Sequence, residues 1–365
     1  MHARPDVVVV GAGIVGLSIA FHLADRGASV RVLDRSGIGA GASGVQPGGV
    51  RQQWGTRVNC LLAQESMRFY ADAPDVLQMR VDPGFRRCGY MFLAHTEAVL
   101  ARLRENVSLQ NELGIPSQIV TPVEAAELVP GLATAGIVGA AWSDEDGYFD
   151  RPQSLVEAFG ALADVQLAEV AAVGDGAVVG LVQGGELHTD AVVVAAGVDT
   201  PRLLPDLPIR PEARYLFFSG PIRERLLEPL VVSPERSFAA KQLADGRVLA
   251  SDLGALGDPE TNQADWRANV RNAIEELLPQ LVFVALPALI PGIYDVTPDH
   301  QAILGRVRDH VWVAAGFSGR GFMLAPAVGR IIAESVLGES EDPALGVLDA
   351  GRFADGRQIP EPQVV

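Results

Sequence analysis

The feature that most constrains this chain lies in its first 34 residues. Asp6 to Val10 is a β-branched run of the kind found in a strand buried on both faces of a parallel sheet. It leads directly into Gly11-Ala12-Gly13-Ile14-Val15-Gly16. Leu17 to Gly27 then reads as a helix with apolar positions at Leu17, Ile19, Ala20 and Leu23, and Ser29 to Leu33 reads as a second strand ending at Asp34. Each part of this unit has its own physical task. Gly11 permits the tight turn, Gly13 lets backbone approach a pyrophosphate, and Gly16 lets the helix pack on the strand. Ile14 and Val15 open the helix, whose N-terminal N–H groups and partial positive charge face the phosphates. Asp34, about 23 residues after Gly11, stands where a carboxylate accepts hydrogen bonds from the adenosine ribose, with Arg35 beside it. An acid here favours a free 2′-hydroxyl, so NADP is disfavoured and FAD and NAD remain.

Composition removes other classes. A formal net charge of −16 opposes binding to nucleic acid, which depends on clustered Lys and Arg. Cys60 and Cys88 are the only cysteines and sit in no Cys-x-x-Cys or zinc spacing, so neither a metal nor a disulfide framework is expected. The start resembles no signal peptide, and no stretch approaches the ~20 apolar residues of a membrane span. A cytoplasmic enzyme of two domains is the simplest expectation for 365 residues.

The choice between FAD and NAD turns on the residues after Asp34. Gly37 to Gly44 and then Gln46-Pro47-Gly48-Gly49-Val50-Arg51 form a long small-residue loop, able to lie flat against a bulky ligand, where an NAD enzyme would continue into an ordinary helix. Two distant segments share the character. Asp190 to Gly197 reads as a buried strand closing on glycine. Val311 to Gly316 is another, followed by Phe317-Ser318-Gly319-Arg320-Gly321-Phe322 and a helix expected from Leu324 to Leu337.

With VVVVGAGIVG, GASGVQPGGVRQQ, VVVAAG and YDVTPDHQAILG followed by AAGFSGRGFMLAPAVGR in place, the chain resembles the FAD-dependent oxidoreductases that include D-amino acid oxidase, glycine oxidase and sarcosine oxidase. The last two motifs are most similar to the sarcosine oxidase β subunit and the related proline and dimethylglycine dehydrogenases. The resemblance implies an α/β fold with a Rossmann-type, glutathione-reductase-like FAD domain from residues 1–75, 150–205 and 295–365. Residues 76–149 and 206–294 would then form an α+β substrate domain on a mixed, largely antiparallel sheet. Strand-like runs at Ala213–Phe218, Ser237–Gln242 and Arg247–Ala250 agree. Besides the residues of the first unit, it implies FAD contacts from Ala42, Ser43, Gln46, Gly48, Gly49, Val170, Ala196, Gly197 and Gly292, and from Ser318, Gly319, Arg320, Gly321, Phe322 and Met323.

Oxidising a C–N bond builds negative charge at the flavin N1 and C2 carbonyl, which the backbone of Ser318 to Met323 would stabilise, with Arg320 adding a full charge or forming a surface ion pair. No general base is needed if the amine binds neutral. A substrate carboxylate does need a guanidinium, and Arg51 matches the position used by sarcosine oxidases. Tyr294 would order the substrate or pack as an aromatic, and Lys241, the only lysine, would face either the flavin or solvent. The chain also departs from the pattern of monomeric sarcosine oxidase. Gly292 replaces the cysteine that tethers flavin, so FAD would be non-covalent; Met323 replaces a carboxylate-binding lysine; and the oxygen-activating lysine falls on a non-basic position near Val248. The expected substrate is a small amino acid or N-alkylated amino acid. A 2-hydroxy acid is the alternative, as is a flavin-bearing subunit that needs a partner or an electron-acceptor protein. His300 reads as a turn residue, His22 as an exposed helix residue, and Trp54 as core packing or, alternatively, a wall of the active site.

Overall fold

The computed structural model describes residues 4–363. Its six-stranded sheet runs in the order Ile303–Arg308, Val311–Ala315, Ala191–Val194, Val7–Val10, Val30–Asp34 and Val165–Leu167. Every pairing is parallel except the outermost one, between Ile303–Arg308 and Val311–Ala315. The central strands are continuous runs of valine because helices or strands cover both faces, and every residue of Val7–Val10 and Ala191–Val194 is buried. Helix Ile14–Asp25 packs against helix Gly321–Leu337, where Leu17, Ile19 and Leu23 join Val328, Ile331 and Ile332 in one core.

Helix Gly321–Leu337 starts three residues before the expected Leu324 and contains Pro326. A proline inside a helix frees the carbonyl four residues earlier. That carbonyl belongs to Phe322, and the buried Tyr70 hydroxyl, from helix Arg57–Val76, donates to it at 2.5 Å. The interior proline is thereby tolerated without an orphaned acceptor.

The second large sheet has eight strands in the order Ala288–Val296, Arg210–Pro221, Arg247–Asp252, Phe238–Gln242, Leu230–Ser233, Tyr90–Ala94, Gly139–Ser143 and Gln118–Val120. All pairings are antiparallel except that of Leu230–Ser233 with Tyr90–Ala94. Strand Arg210–Pro221 is twice the expected length, 12 residues. Its first half borders only Ala288–Val296, the ladder on its other side beginning at Phe217, so Pro211 sits where a missing N–H breaks no bond of a central strand. Helix Pro259–Leu277 covers one face through Trp266, Val270 and Ile274, with Trp266 stacked on Tyr215 at 4.4 Å between centroids.

The loop after Asp34 is more ordered than a bare linker. It holds the short helix Ala42–Val45 and the two-residue strand Gly49–Val50, which pairs with Gly147–Phe149 and through it reaches Phe85–Arg86.

Candidate active site

An elongated cavity of about 610 Å³ runs between the two large sheets. At one end its wall is Gly11, Gly13, Ile14, Val15, Asp34, Arg35, Ala42 and Ser43, so the Rossmann unit and the following loop meet as the sequence predicts. Gly11 has φ +113°, and a Cβ there would stand 2.3 Å from the Ala195 carbonyl oxygen, so only glycine permits this turn. The helix that starts at Ile14 has no acidic residue in its first turn, and Ser43 Oγ accepts from the Ile14 N–H at 2.9 Å. This end therefore presents the positive end of the helix dipole with no carboxylate in its first turn to offset it.

Asp34 ties the turn together. Its Oδ2 accepts from Ala12 N–H and its Oδ1 from the N–H groups of Ser36 and Gly37, each at 2.8 Å. A carboxylate has about four acceptor positions, which leaves one for a ribose hydroxyl. Arg35 lines the same wall while pairing with Asp199 at 2.6 Å.

Val170, Ala196, Gly197 and Gln46 continue the lining, and the far end is formed by Gly292, Tyr294, Gly319, Gly321 and Phe322. Three glycine-punctuated strand ends thus converge on one cavity. Gly319 has φ +88°, and a Cβ there would lie 2.3 Å from the Tyr294 ring, so this glycine lets Tyr294 lie against the loop. Burial raises the Tyr294 phenol above its ordinary value, keeping it neutral and able to donate. The long, glycine-lined shape, the anion-ready helix end and the acid at the ribose position fit a flavin dinucleotide.

The other anticipated residues lie outside that lining. Gly16 packs the helix, since a Cβ would meet the Gly11 carbonyl at 2.0 Å, and Ser318 is buried with its hydroxyl near the Thr297 N–H. Gly48 and Gly49 back the loop against Phe149 and the Tyr90 hydroxyl, with Met323 close to Gly49. Arg51 is 2 % exposed, its two terminal nitrogens donate to the carbonyls of Gln53 and Gln363, and its guanidinium lies 3.5 Å from the Trp54 ring centroid. Lys241 is 3 % exposed; its ammonium donates to the carbonyl of Pro47, a residue of the cavity wall, and sits 4.2 Å from the Tyr148 ring. Burial pushes it down to about 7. Solvent exposure of this lysine, the other outcome the sequence allowed, does not occur. Nor does a surface ion pair for Arg320, which is 5 % exposed with its Nε donating to the Phe317 carbonyl; burial lowers it to about 10. His22 is not exposed as expected but half-buried against Phe21 and Phe69, and burial lowers it to about 4.

Sequence reasoning missed three contributors. Arg214 lines the cavity, 5.8 Å from the Tyr294 ring and bonded to Glu212 and the Leu253 carbonyl. Alternation along its strand, with Leu216 lining the same cavity, was the available signal. Asp146 is buried and accepts from Gln52 N–H and Gln53 Nε2; burial raises it to about 6. Glu361, in the C-terminal segment, accepts from Gly55 and Gln363 N–H, Thr56 Oγ1 and Asn59 Nδ2. Nothing in their polar, aperiodic surroundings marks these two carboxylates.

Two large sheets with a cavity between them that fits a dinucleotide are the architecture of a nucleotide-dependent oxidoreductase. The chain belongs to the FAD dependent oxidoreductase (DAO) family, which it matches over residues 6–335, and is itself an FAD-dependent oxidoreductase. It is 27 % identical to 4-methylaminobutanoate oxidase (formaldehyde-forming) of Paenarthrobacter nicotinovorans over 97 % of this chain, while spanning only 46 % of that relative. It is 27 % identical to glycine oxidase of Geobacillus kaustophilus, covering 92 % of this chain and 94 % of the relative. Among solved structures, L-proline dehydrogenase from P. horikoshii superposes with a TM-score of 0.88 at 27 % identity, over 98 % of this chain and 99 % of the other. Among the described residues, no helix is long and apolar enough to cross a membrane.

Proposed function

We propose that this chain oxidises the C–N bond of a small amino acid or N-alkylated amino acid, giving an imine that hydrolyses. The observation that carries this reading is the pair of buried guanidiniums, Arg51 and Arg320, that share Trp54 next to the loop carrying Gly319, while no histidine lines the cavity among the described residues. Cations with no histidine in the wall, and with the one nearby wall carboxylate, Asp295, held by the Gly316 N–H, suit a substrate that is an anion through its carboxylate and enters as a neutral amine. A 2-hydroxy acid would instead require a group to accept the hydroxyl proton. Relatives named for oxidising glycine, a methylamino acid and L-proline support the same class.

Bound FAD supplies the hydride acceptor. The protein's own part is to hold, orient and polarise. Gly292, whose Cβ position would touch Val45, gives no side chain for a covalent tether, so no bond to the flavin is expected at this position. The amine lone pair forms the C=N bond as hydride leaves the carbon, and the N–H groups of the 318–323 loop and the Tyr294 hydroxyl steady the charges that develop.

Lys241 addresses the electron acceptor. The strand position near Val248 carries no cation, but its neighbour pairs Gln242 with Val248, and Lys241 of that neighbour reaches the loop at Pro47. A buried cation beside the flavin loop favours oxygen as acceptor over a reading in which a partner subunit must take the electrons.

The test is anaerobic mixing of the FAD-loaded protein with amino acids, N-methylated amino acids, cyclic amino acids and 2-hydroxy acids while following flavin bleaching near 450 nm, roughly. Bleaching by N-alkylated or cyclic amino acids is expected. Bleaching by hydroxy acids alone would overturn the reading.

A further inference from the structure

Arg320 is the one guanidinium at the reacting end whose fork is unused. Among the described residues, neither its Nη1 nor its Nη2 meets a hydrogen-bond acceptor, although both are buried. A buried, unpaired charge is costly, so such a fork calls for an anion. The surrounding carboxylates are already engaged. Glu361 accepts from four donors, Asp299 receives both arms of Arg352, and Asp295 accepts from Gly316 N–H. Arg51, by contrast, has both terminal nitrogens on backbone carbonyls. The two guanidiniums share Trp54, Arg51 at 3.5 Å and Arg320 at 5.2 Å from its ring centroid.

We infer that Arg320, not Arg51, is the seat of the substrate carboxylate, taken as a forked, two-bond pair, while Arg51 positions Trp54 and the Gln363 segment beside it. This rests on the amine-oxidation reading for what the carboxylate belongs to, but the seat itself follows from the unpaired fork. Arg320 joins two residues of the cavity wall, Gly319 and Gly321, yet is not part of that wall, and its head turns toward Trp54, which also lies outside the wall. Chemically the ligand is a planar monocarboxylate on a small carbon frame, which matches a fork better than a single ammonium would.

The test uses FAD-loaded protein and pyrrole-2-carboxylate, an unreactive planar carboxylate, with its neutral carboxamide as control, read by the shift they cause in the flavin visible spectrum. Arg320→Gln should weaken the carboxylate about 30-fold or more and leave the carboxamide unchanged. Arg320→Lys keeps the charge but not the fork and should lose about 5-fold or more. Should Arg320→Gln fail to take up FAD, the lysine variant carries the comparison. Unchanged carboxylate affinity, or equal loss for carboxylate and carboxamide, overturns the assignment, as does a changed flavin redox potential with carboxylate affinity intact. Failure of the two readings is separable. Arg320-dependent carboxylate binding without bleaching by any amine would sink the amine reaction and keep the seat. Amino acids that bleach both proteins with the same KM would do the reverse.

Discussion

The two ends of the cavity are built by different means. The nucleotide end is made of backbone: a glycine turn, a helix start and an acid whose oxygens clasp three N–H groups. At the other end Tyr294 stands in the wall, and the side chains proposed to act there, Arg51, Lys241 and Arg320, lie outside the wall, each on a different segment. Backbone sites tolerate no added atom, whereas side-chain sites tolerate substitution in shape but not in charge.

The sharpest way to break this contrast is Gly11→Ala. A positive φ and a Cβ 2.3 Å from a carbonyl oxygen should cost about 3 kcal/mol or more and release FAD, measured by flavin content after gel filtration and by thermal unfolding. Retained flavin would mean that the turn is less rigid than its geometry. Arg51→Ala comes next. It strands two buried carbonyls and uncovers Trp54, an expected loss of about 2–3 kcal/mol by denaturant unfolding even without ligand. An effect confined to substrate kinetics would return the carboxylate to Arg51.

Lys241→Met should slow reoxidation of the reduced protein by oxygen about 10-fold while leaving anaerobic reduction within about 3-fold, by stopped-flow absorbance. The same variant tests the titration. The folded protein holds Lys241 at about 7, below its ordinary value, so between there and roughly pH 10 the unfolded chain binds the extra proton. Stability attributable to this group therefore rises with pH across that window, and the substitution should flatten the rise. The smallest effect belongs to Arg35→Ala, whose exposed pair with Asp199 should contribute no more than about 0.5 kcal/mol to FAD affinity by titration.

This contrast also explains how much was legible in the sequence. Val7–Val10, Gly11 and Asp34 announce themselves because a parallel strand, a strained turn and a terminal acid each impose a residue type on their own position. The strand around Arg214 was only half visible, since Pro211 and Pro221 disguise its ends until the one-sided ladder is known. Arg320 was read as a charge, but its open fork depends on Glu361, Asp299 and Asp295 being engaged elsewhere, which pairwise distances decide and spacing does not. The role of Gln363 was invisible, because a backbone carbonyl carries no sequence signal.

The interleaving of the six-stranded sheet has a consequence for biosynthesis. Val7 pairs with Val30 and with Ala191, and Val192 with Val311, so the first strand gains one neighbour early but lacks the other until some 180 further residues have followed, and that second neighbour lacks its own outer partner for about 120 more. Loop closures of that length make nucleation slow, and the valine-rich edges stay uncovered meanwhile. Early in synthesis this protein is therefore expected to need chaperone shelter, and nascent-chain truncations ending before residue 311 should fail to yield a protease-resistant core.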